Sequence, residues 1–237
     1  MIVLLRNIVF AIVFYGLSVP IVLTAPVSAL FGRRAVMRHA TAWTLFHRWA
    51  VRHLLGIRVR VEGERPAGPA FYAAKHQAMW ETLELQAMLD APAMVLKREL
   101  ADIPAWGWAA RRYGAIVVDR DAAAAALRGM MRDAEAAKAE GRSILIFPEG
   151  TRVQPGETPP LKPGFAGLYR LLDMPTVAVA TDIGRLWPRK GLKRPGTATL
   201  RFAPAIPPGL PRRQAEAAIH AGMNALEEQD GRGDAPL

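Results

Sequence analysis

Apolar and polar positions fall into three regimes along the chain. The first is a run from Asn7 to Gly32 that holds no charged residue. The second is strict alternation, as where Ile57, Val59 and Val61 interleave with Arg58, Arg60 and Glu62. Such a pattern marks a half-buried strand. The third is a series of short apolar runs bounded by turn or charged residues, at 70–74, 93–96, 115–118, 143–147 and 176–180, with a further alternating stretch at 197–202. Helical patterns separate these predicted strands. One follows residue 76 to about Leu89, one covers 104–113 and closes at Gly114, and one runs to Glu140 from an N-cap at Asp121, with Gly141 as its stop. A last, alanine-rich helix is expected over 211–229, followed by a disordered tail at 230–237. Strands alternating with helices predict an α/β fold with a central, mostly parallel sheet flanked by helices.

The uncharged run is 26 residues long, and a bilayer-spanning helix needs about 20. Pro20 and Pro26 interrupt it, and a proline inside a helix removes a hydrogen bond. Two arrangements follow: one tilted, kinked span, or a helix of about 13 residues, a break and a second apolar piece, both lying in one leaflet. A cleaved secretory signal is the competing reading; the length of the run and the Thr24-Ala25-Pro26 context oppose it. Arg33, Arg34 and Arg38 follow the run and only Arg6 precedes it. That asymmetry places the rest of the chain on the cytoplasmic face of the inner membrane, anchored by residues 1–37. Residues 38–56 read as an amphipathic linking helix, with Trp43, Phe46, Trp49, Ala50 and Leu54 near one stripe. That stripe suits either the headgroup region or the domain core, and His39, His47 and His53 read as polar-face residues. The body of the protein is expected over 57–229.

Composition narrows the chemistry. The net charge of +10 over 237 residues permits an anionic lipid, a phosphorylated substrate or nucleic acid as partner. No nucleic-acid motif accompanies the charge, and the apolar N-terminus fits nucleic-acid binding badly. There is no cysteine, which excludes disulfides, thiolate catalysis and cysteine metal sites.

One stretch, residues 71–82, carries candidate chemistry. An apolar run ends at Lys75-His76, and Glu81 follows five residues after the histidine. In an unbroken helix that spacing turns the two side chains about 140° apart. They meet only if His76 sits in the turn and Glu81 inside the helix that follows. A histidine so placed can give one ring nitrogen to the carboxylate and turn the other to a substrate hydroxyl, as a general base does. A capping or hydrogen-bonding histidine is the plainer alternative.

Charge also collects just past other predicted strands: Lys97, Arg120, and Glu149 with Arg152. In open α/β sheets ligands bind outside the carboxyl ends of the strands. If the strands are parallel neighbours, Lys97, Arg120 and Arg152 form a cationic pocket beside His76, suited to a phosphate. As solvated loop charges they would carry no such meaning. In Pro148-Glu149-Gly150-Thr151-Arg152, Gly150 permits an unusual backbone or a close approach to ligand, and Glu149 could hold a hydroxyl or orient an arginine.

Lys75-His76-Gln77-x3-Glu81-Thr82, Gly114-x3-Val118-Asp119-Arg120 and Phe147-Pro148-Glu149-Gly150-Thr151-Arg152 resemble, in that order, three sequence blocks of the glycerolipid acyltransferase family, nearest its lysophosphatidic acid acyltransferase branch. The resemblance covers roughly residues 55–205. It implies His76 as catalytic base and Glu81 as its acidic partner, where the family usually has aspartate. It implies Lys97, Arg120 and Arg152 at the acceptor's phosphate, and Glu149, Gly150 and Thr151 in the acceptor-binding block. A fourth block usually has proline between two apolar strand residues; here Val177-Ala178-Val179 puts alanine there.

The implied reaction moves a fatty acyl group from acyl-CoA or acyl carrier protein to the sn-2 hydroxyl of a lysophosphatidic acid, at a membrane and with no metal or other cofactor. Backbone N–H groups at the helix start after His76 are expected to receive the oxyanion. Two other readings stand beside it. One keeps the chemistry and takes another lyso-lipid, such as a lyso-ornithine lipid, as acceptor. The other is a non-catalytic lipid-binding protein.

Overall fold

The computed structural model describes residues 1–118 and 123–227. Among them, seven strands, β1 (Ile57–Glu62), β2 (Phe71–Ala74), β3 (Ala93–Lys97), β4 (Ile116–Val118), β5 (Ile144–Ile146), β6 (Thr176–Thr181) and β7 (Gly196–Phe202), lie in the order β1-β7-β6-β2-β5-β3-β4. The pairings of β1 with β7, β2 with β6, β3 with β4 and β3 with β5 are parallel, and that of β6 with β7 is antiparallel. The α/β fold expected from the alternation of elements is therefore present. The chain divides into two compact units, residues 1–56 with 83–145 and residues 57–82 with 146–237.

In the first unit, α1 (Ile2–Phe10), a π-helical turn (Ala11–Tyr15) and α2 (Gly16–Ala29) form one continuous helix. The prolines do not break it, contrary to the two-piece arrangement. Pro20 and Pro26 lie inside α2, and the Thr24 hydroxyl sits 2.9 Å from the carbonyls of Pro20 and Ile21. The stretch is long and apolar enough to cross a membrane, and side chains such as Leu5, Ile12, Val19, Leu23 and Val27 are exposed along it.

Gly32, at φ +87°, turns the chain into α3 (Arg33–Ala50), which a second π-helical turn (Val51–Leu55) extends to Gly56. Contacts pair His39 with the Ile21 carbonyl, Trp43 with Ser18 and His47 with Phe14. The descending partners make the two helices antiparallel. His47 departs from the sequence pattern. It is fully buried, edge-on to Phe10 and Phe14, and burial pushes its imidazole down to about 3. An uncharged ring fits an aromatic wall where an imidazolium would be desolvated.

The same unit holds most of α4 (Trp80–Met88), β3 (Ala93–Lys97), α5 (Arg98–Ala101), α6 (Trp106–Tyr113), β4 (Ile116–Val118) and α7 (Ala123–Ala139). The expected N-cap Asp121 lies outside the described residues. In parallel register, Ala93 faces Ile144 of β5 (Ile144–Ile146) and Lys97 faces Val118.

The second unit holds β1 (Ile57–Glu62), β2 (Phe71–Ala74), α8 (Gly164–Leu172), β6 (Thr176–Thr181), β7 (Gly196–Phe202) and α9 (Arg212–Met223). All four residues of β2 are buried, so it reads as a continuous apolar run rather than an alternating one. Phe71 stacks on Phe165 of α8 at 5.6 Å, and Tyr72 meets Phe202 of β7 edge-on. Alanine at 178, where the block it resembles usually has proline, meets a close helix. A Cβ at Gly222 of α9 would lie 2.6 Å from the Ala178 Cβ.

Candidate active site

The parallel ladder between β2 and β6 pairs Ala74 with Val179 and continues one residue further, through the Lys75 N–H to the Val179 carbonyl. His76 is where the chain leaves the sheet. Its N–H donates instead to Glu149 Oε2 at 2.8 Å, and its carbonyl accepts from Val153 N–H at 2.7 Å. The backbone of the candidate base is thus held from both sides by the loop after β5.

Residues 76–79 form the turn before α4, and Glu81 lies in the first turn of that helix. The two side chains meet: His76 Nδ1 is 2.8 Å from Glu81 Oε1. The same carboxylate accepts the N–H groups of Gln77 at 2.8 Å and Ala78 at 2.9 Å. A glutamate reaching back to free N–H groups at a helix start resembles half of a capping box. The carboxylate is therefore fixed by the local fold before it orients anything. These bonds also occupy the amides expected to receive an oxyanion, so Gln77 and Ala78 are not open donors.

Glu81 is fully buried, whereas the His76 side chain keeps 19% of its surface exposed. Phe147 covers one face of the ring, with centroids 4.4 Å apart. When Glu81 accepts from Nδ1–H, the imidazole presents unprotonated Nε2 as an acceptor. Such an arrangement can remove a proton from a hydroxyl.

Glu149 is also buried, and burial pushes its carboxyl up to about 7, against the opposing pull of the His76 N–H and Lys75. Its Oε1 lies 3.6 Å from Lys75 Nζ. Among the described residues its partners are thus the His76 backbone and the lysine beside the base. Gly150 is buried at φ +73°, which an L side chain adopts only with strain. Thr151 and Arg152 are exposed. Lys97 ends β3, half-buried, in the first unit. Arg120 lies outside the described residues.

Sequence reasoning quoted Gln77 without giving it a role and passed over Asn224 and Glu227. Gln77 Oε1 accepts the Gly184 N–H at 2.8 Å, and its Nε2 donates to Glu227 Oε1 at 2.6 Å. Lys75 Nζ donates to Asn224 Oδ1 at 2.6 Å. A lysine closing an apolar run as tight as Phe-Tyr-Ala-Ala was the available signal, because a lysine there is buried and must find partners. Among the described residues, no group of three His, Cys, Asp or Glu residues is arranged to hold a metal ion.

A family model described as Acyltransferase matches residues 56–182. A 1-acyl-sn-glycerol-3-phosphate acyltransferase of Pseudomonas aeruginosa is 34% identical over 167 residues, covering 69% of this chain and 65% of that protein. The match thus spans just under two thirds of the relative's length. A lyso-ornithine lipid O-acyltransferase of the same organism is 35% identical over 107 residues, 44% of this chain and 40% of that protein. The crystal structure of the 1-acyl-sn-glycerophosphate (LPA) acyltransferase PlsC from Thermotoga maritima superposes with a TM-score of 0.76, covering 98% of both chains at 20% identity. That likeness extends the fold to the N-terminal helices, and the family match over residues 56–182, more than half of the chain, shows that this chain belongs to the acyltransferase family.

Proposed function

We propose that this protein transfers a fatty acyl group from the thioester of acyl-CoA or acyl carrier protein to the sn-2 hydroxyl of 1-acyl-sn-glycerol-3-phosphate, giving phosphatidic acid. The observation that carries this reading is the His76 Nδ1–Glu81 Oε1 contact of 2.8 Å, with the carboxylate sealed and the ring partly open. His76 Nε2 takes the proton of the acceptor hydroxyl as the oxygen attacks the thioester carbonyl. The tetrahedral intermediate collapses, the C–S bond breaks, and the imidazolium returns the proton to the leaving thiolate. No acyl-enzyme, metal or cofactor enters the scheme. A positioned base contributes about 10²–10⁴-fold.

The basic residues Lys97, Arg120 and Arg152 bind the acceptor's phosphate in this reading, and Gly150 and Thr151 line its approach. The apolar helix Ile2–Ala29 anchors the enzyme to the membrane that holds its acceptor, on the cytoplasmic face of the cell membrane. Thiol release from acyl-CoA in the presence of lysophosphatidic acid tests the reaction. His76→Ala is expected to lose turnover by at least about 100-fold while still binding vesicles that contain the acceptor. Near-normal turnover in that variant would remove the mechanism.

The likeness to the lyso-ornithine lipid enzyme supports a second reading with the same base and a phosphate-free acceptor. An acceptor panel in the same assay separates the two. Absence of thiol release with every acceptor and both donors would favour a lipid-binding protein instead.

A further inference from the structure

Lys75 stands directly before the candidate base, and its side chain is completely buried. Its ammonium meets four oxygens brought from distant parts of the chain. The Glu157 carbonyl lies at 2.5 Å, Asn224 Oδ1 at 2.6 Å, Glu227 Oε1 at 3.4 Å and Glu149 Oε1 at 3.6 Å. A buried ammonium persists only where it is paired and hydrogen-bonded, and here two carboxylates share it.

Both carboxylates reach on to the residues around His76. Glu149 Oε2 accepts the His76 N–H at 2.8 Å. Glu227 Oε1 accepts Gln77 Nε2 at 2.6 Å, and its Oε2 accepts the Gly156 N–H. Gln77 in turn accepts the Gly184 N–H at 2.8 Å. The residue on each side of the base is therefore tied to the segment that follows α9. Lys75, Gln77, Glu149 and Asn224 are buried, whereas the His76 side chain keeps 19% of its surface exposed.

We infer that Lys75 is a positioning residue for the base at His76, and that the Asn224–Glu227 segment is part of the acyl-transfer machinery because it anchors that lysine and Gln77. The inference rests on the reading of His76 as the base. A network that served folding alone would leave the kinetics of the folded fraction unchanged. A positioning network lowers kcat and spares KM, since it sets the attitude of the base rather than the binding of either substrate.

The pH profile gives a second readout. Among the described residues, the groups facing Glu149 are Lys75 and His76 from the end of β2 and Glu81 from α4, with Glu227 across the shared ammonium. Lys75 and His76 favour the ionised form of Glu149, and Glu81 opposes it. Without the ammonium, Glu149 holds its proton to higher pH, and a protonated carboxyl accepts the His76 N–H more weakly. The acid limb of kcat therefore moves up.

The experiment uses the full chain in detergent micelles, with thiol release from acyl-CoA followed between pH 5 and 9. Lys75→Met is expected to lower kcat about 10–100-fold, the range found when partners behind a functional group are removed, with both KM values nearly unchanged and the acid limb at higher pH. Glu227→Gln keeps the shape but turns an amide donor toward Gln77 Nε2 or the Gly156 N–H. It is expected to lower kcat about 3–10-fold with KM and acid limb unmoved, and it carries the test if Lys75→Met does not fold. Wild-type kcat in Glu227→Gln, or a folded Lys75→Met with wild-type kcat and acid limb, overturns the inference. If His76→Ala is inactive in that case, the base stands and only the positioning role falls. If His76→Ala keeps turnover, the base itself is wrong.

Discussion

Glu81 Oε1 lies 2.8 Å from His76 Nδ1 and equally close to the Gln77 N–H. One oxygen thus joins the orientation of the imidazole to the start of α4. The longer side chain, standing where aspartate is usual, spans this gap from the first helical turn.

Replacing that carboxylate separates charge from shape. Glu81→Gln is nearly isosteric but presents either an amide N–H to Nδ1 or an uncharged oxygen. Loss of the partner that fixes the tautomer is expected to lower kcat about 10²–10⁴-fold. Glu81→Asp keeps the charge and shortens the reach by about 1.5 Å, one carbon–carbon bond, so it is expected to keep more activity than the glutamine variant. Saturating kcat values from thiol release check both. A glutamine variant within about threefold of wild type would reduce Glu81 to a helix cap.

Glu149 makes stability depend on pH in a defined direction. Burial raises its folded-state value from 4.5 to about 7. Folding therefore favours the protonated form, and this contribution is complete below pH 4.5 and lost as pH rises toward 7. The full span corresponds to about 3 kcal/mol. Unfolding midpoints of wild type and Glu149→Gln, measured in micelles from pH 4.5 to 8, are expected to diverge in favour of the variant as pH rises. Curves that stay parallel would mean that Glu149 is ionised at its ordinary value in the fold.

His47 acts in the opposite sense. Burial depresses its folded value from 6.5 to about 3. The unfolded chain takes up the proton first, so stability is intact above pH 6.5 and is lost as pH falls toward 3. The slope approaches about 1.4 kcal/mol per pH unit inside that window. His47→Phe is expected to flatten the acid side of the stability profile. An unchanged acid slope in that variant assigns the loss to other groups.

The strands were legible because five short apolar runs ended at turn or charged residues and two stretches alternated, and these seven segments hold the seven strands of the described residues. The His76–Glu81 pair was legible because a five-residue spacing closes only across a turn. What the pattern hid was non-local. Asn224 and Glu227 read as the polar face of a terminal helix, yet they bond residues 149 and 150 positions earlier. Residue 47 looked polar by composition, but the apolar partner that buries it comes from a helix 33 residues before. Proline at 20 read as a break, although the helix carries a π-helical turn upstream and continues through it. For residues 47, 224 and 227 a contact between distant residues overrode the local signal.

The acceptor question turns on Arg152. It stands exposed at the end of the Phe147–Arg152 block, two residues past a glycine whose φ of +73° sets the direction of the turn. An exposed guanidinium gains most from a doubly charged phosphate, which it can grip with two parallel bonds. Loss of one such charge-assisted contact is worth about 1.5–3 kcal/mol, or about 10–100-fold in acceptor binding. Arg152→Ala is therefore expected to raise KM for lysophosphatidic acid by that factor and to leave kcat near wild type. The same variant, offered a lyso-ornithine lipid, is expected to keep its KM, because that headgroup carries no phosphate for the arginine to hold. Initial rates over an acceptor concentration series in mixed micelles measure both. Equal losses with the two acceptors would move Arg152 from recognition of phosphate to support of the turn, and unchanged KM with lysophosphatidic acid would remove it from the acceptor site.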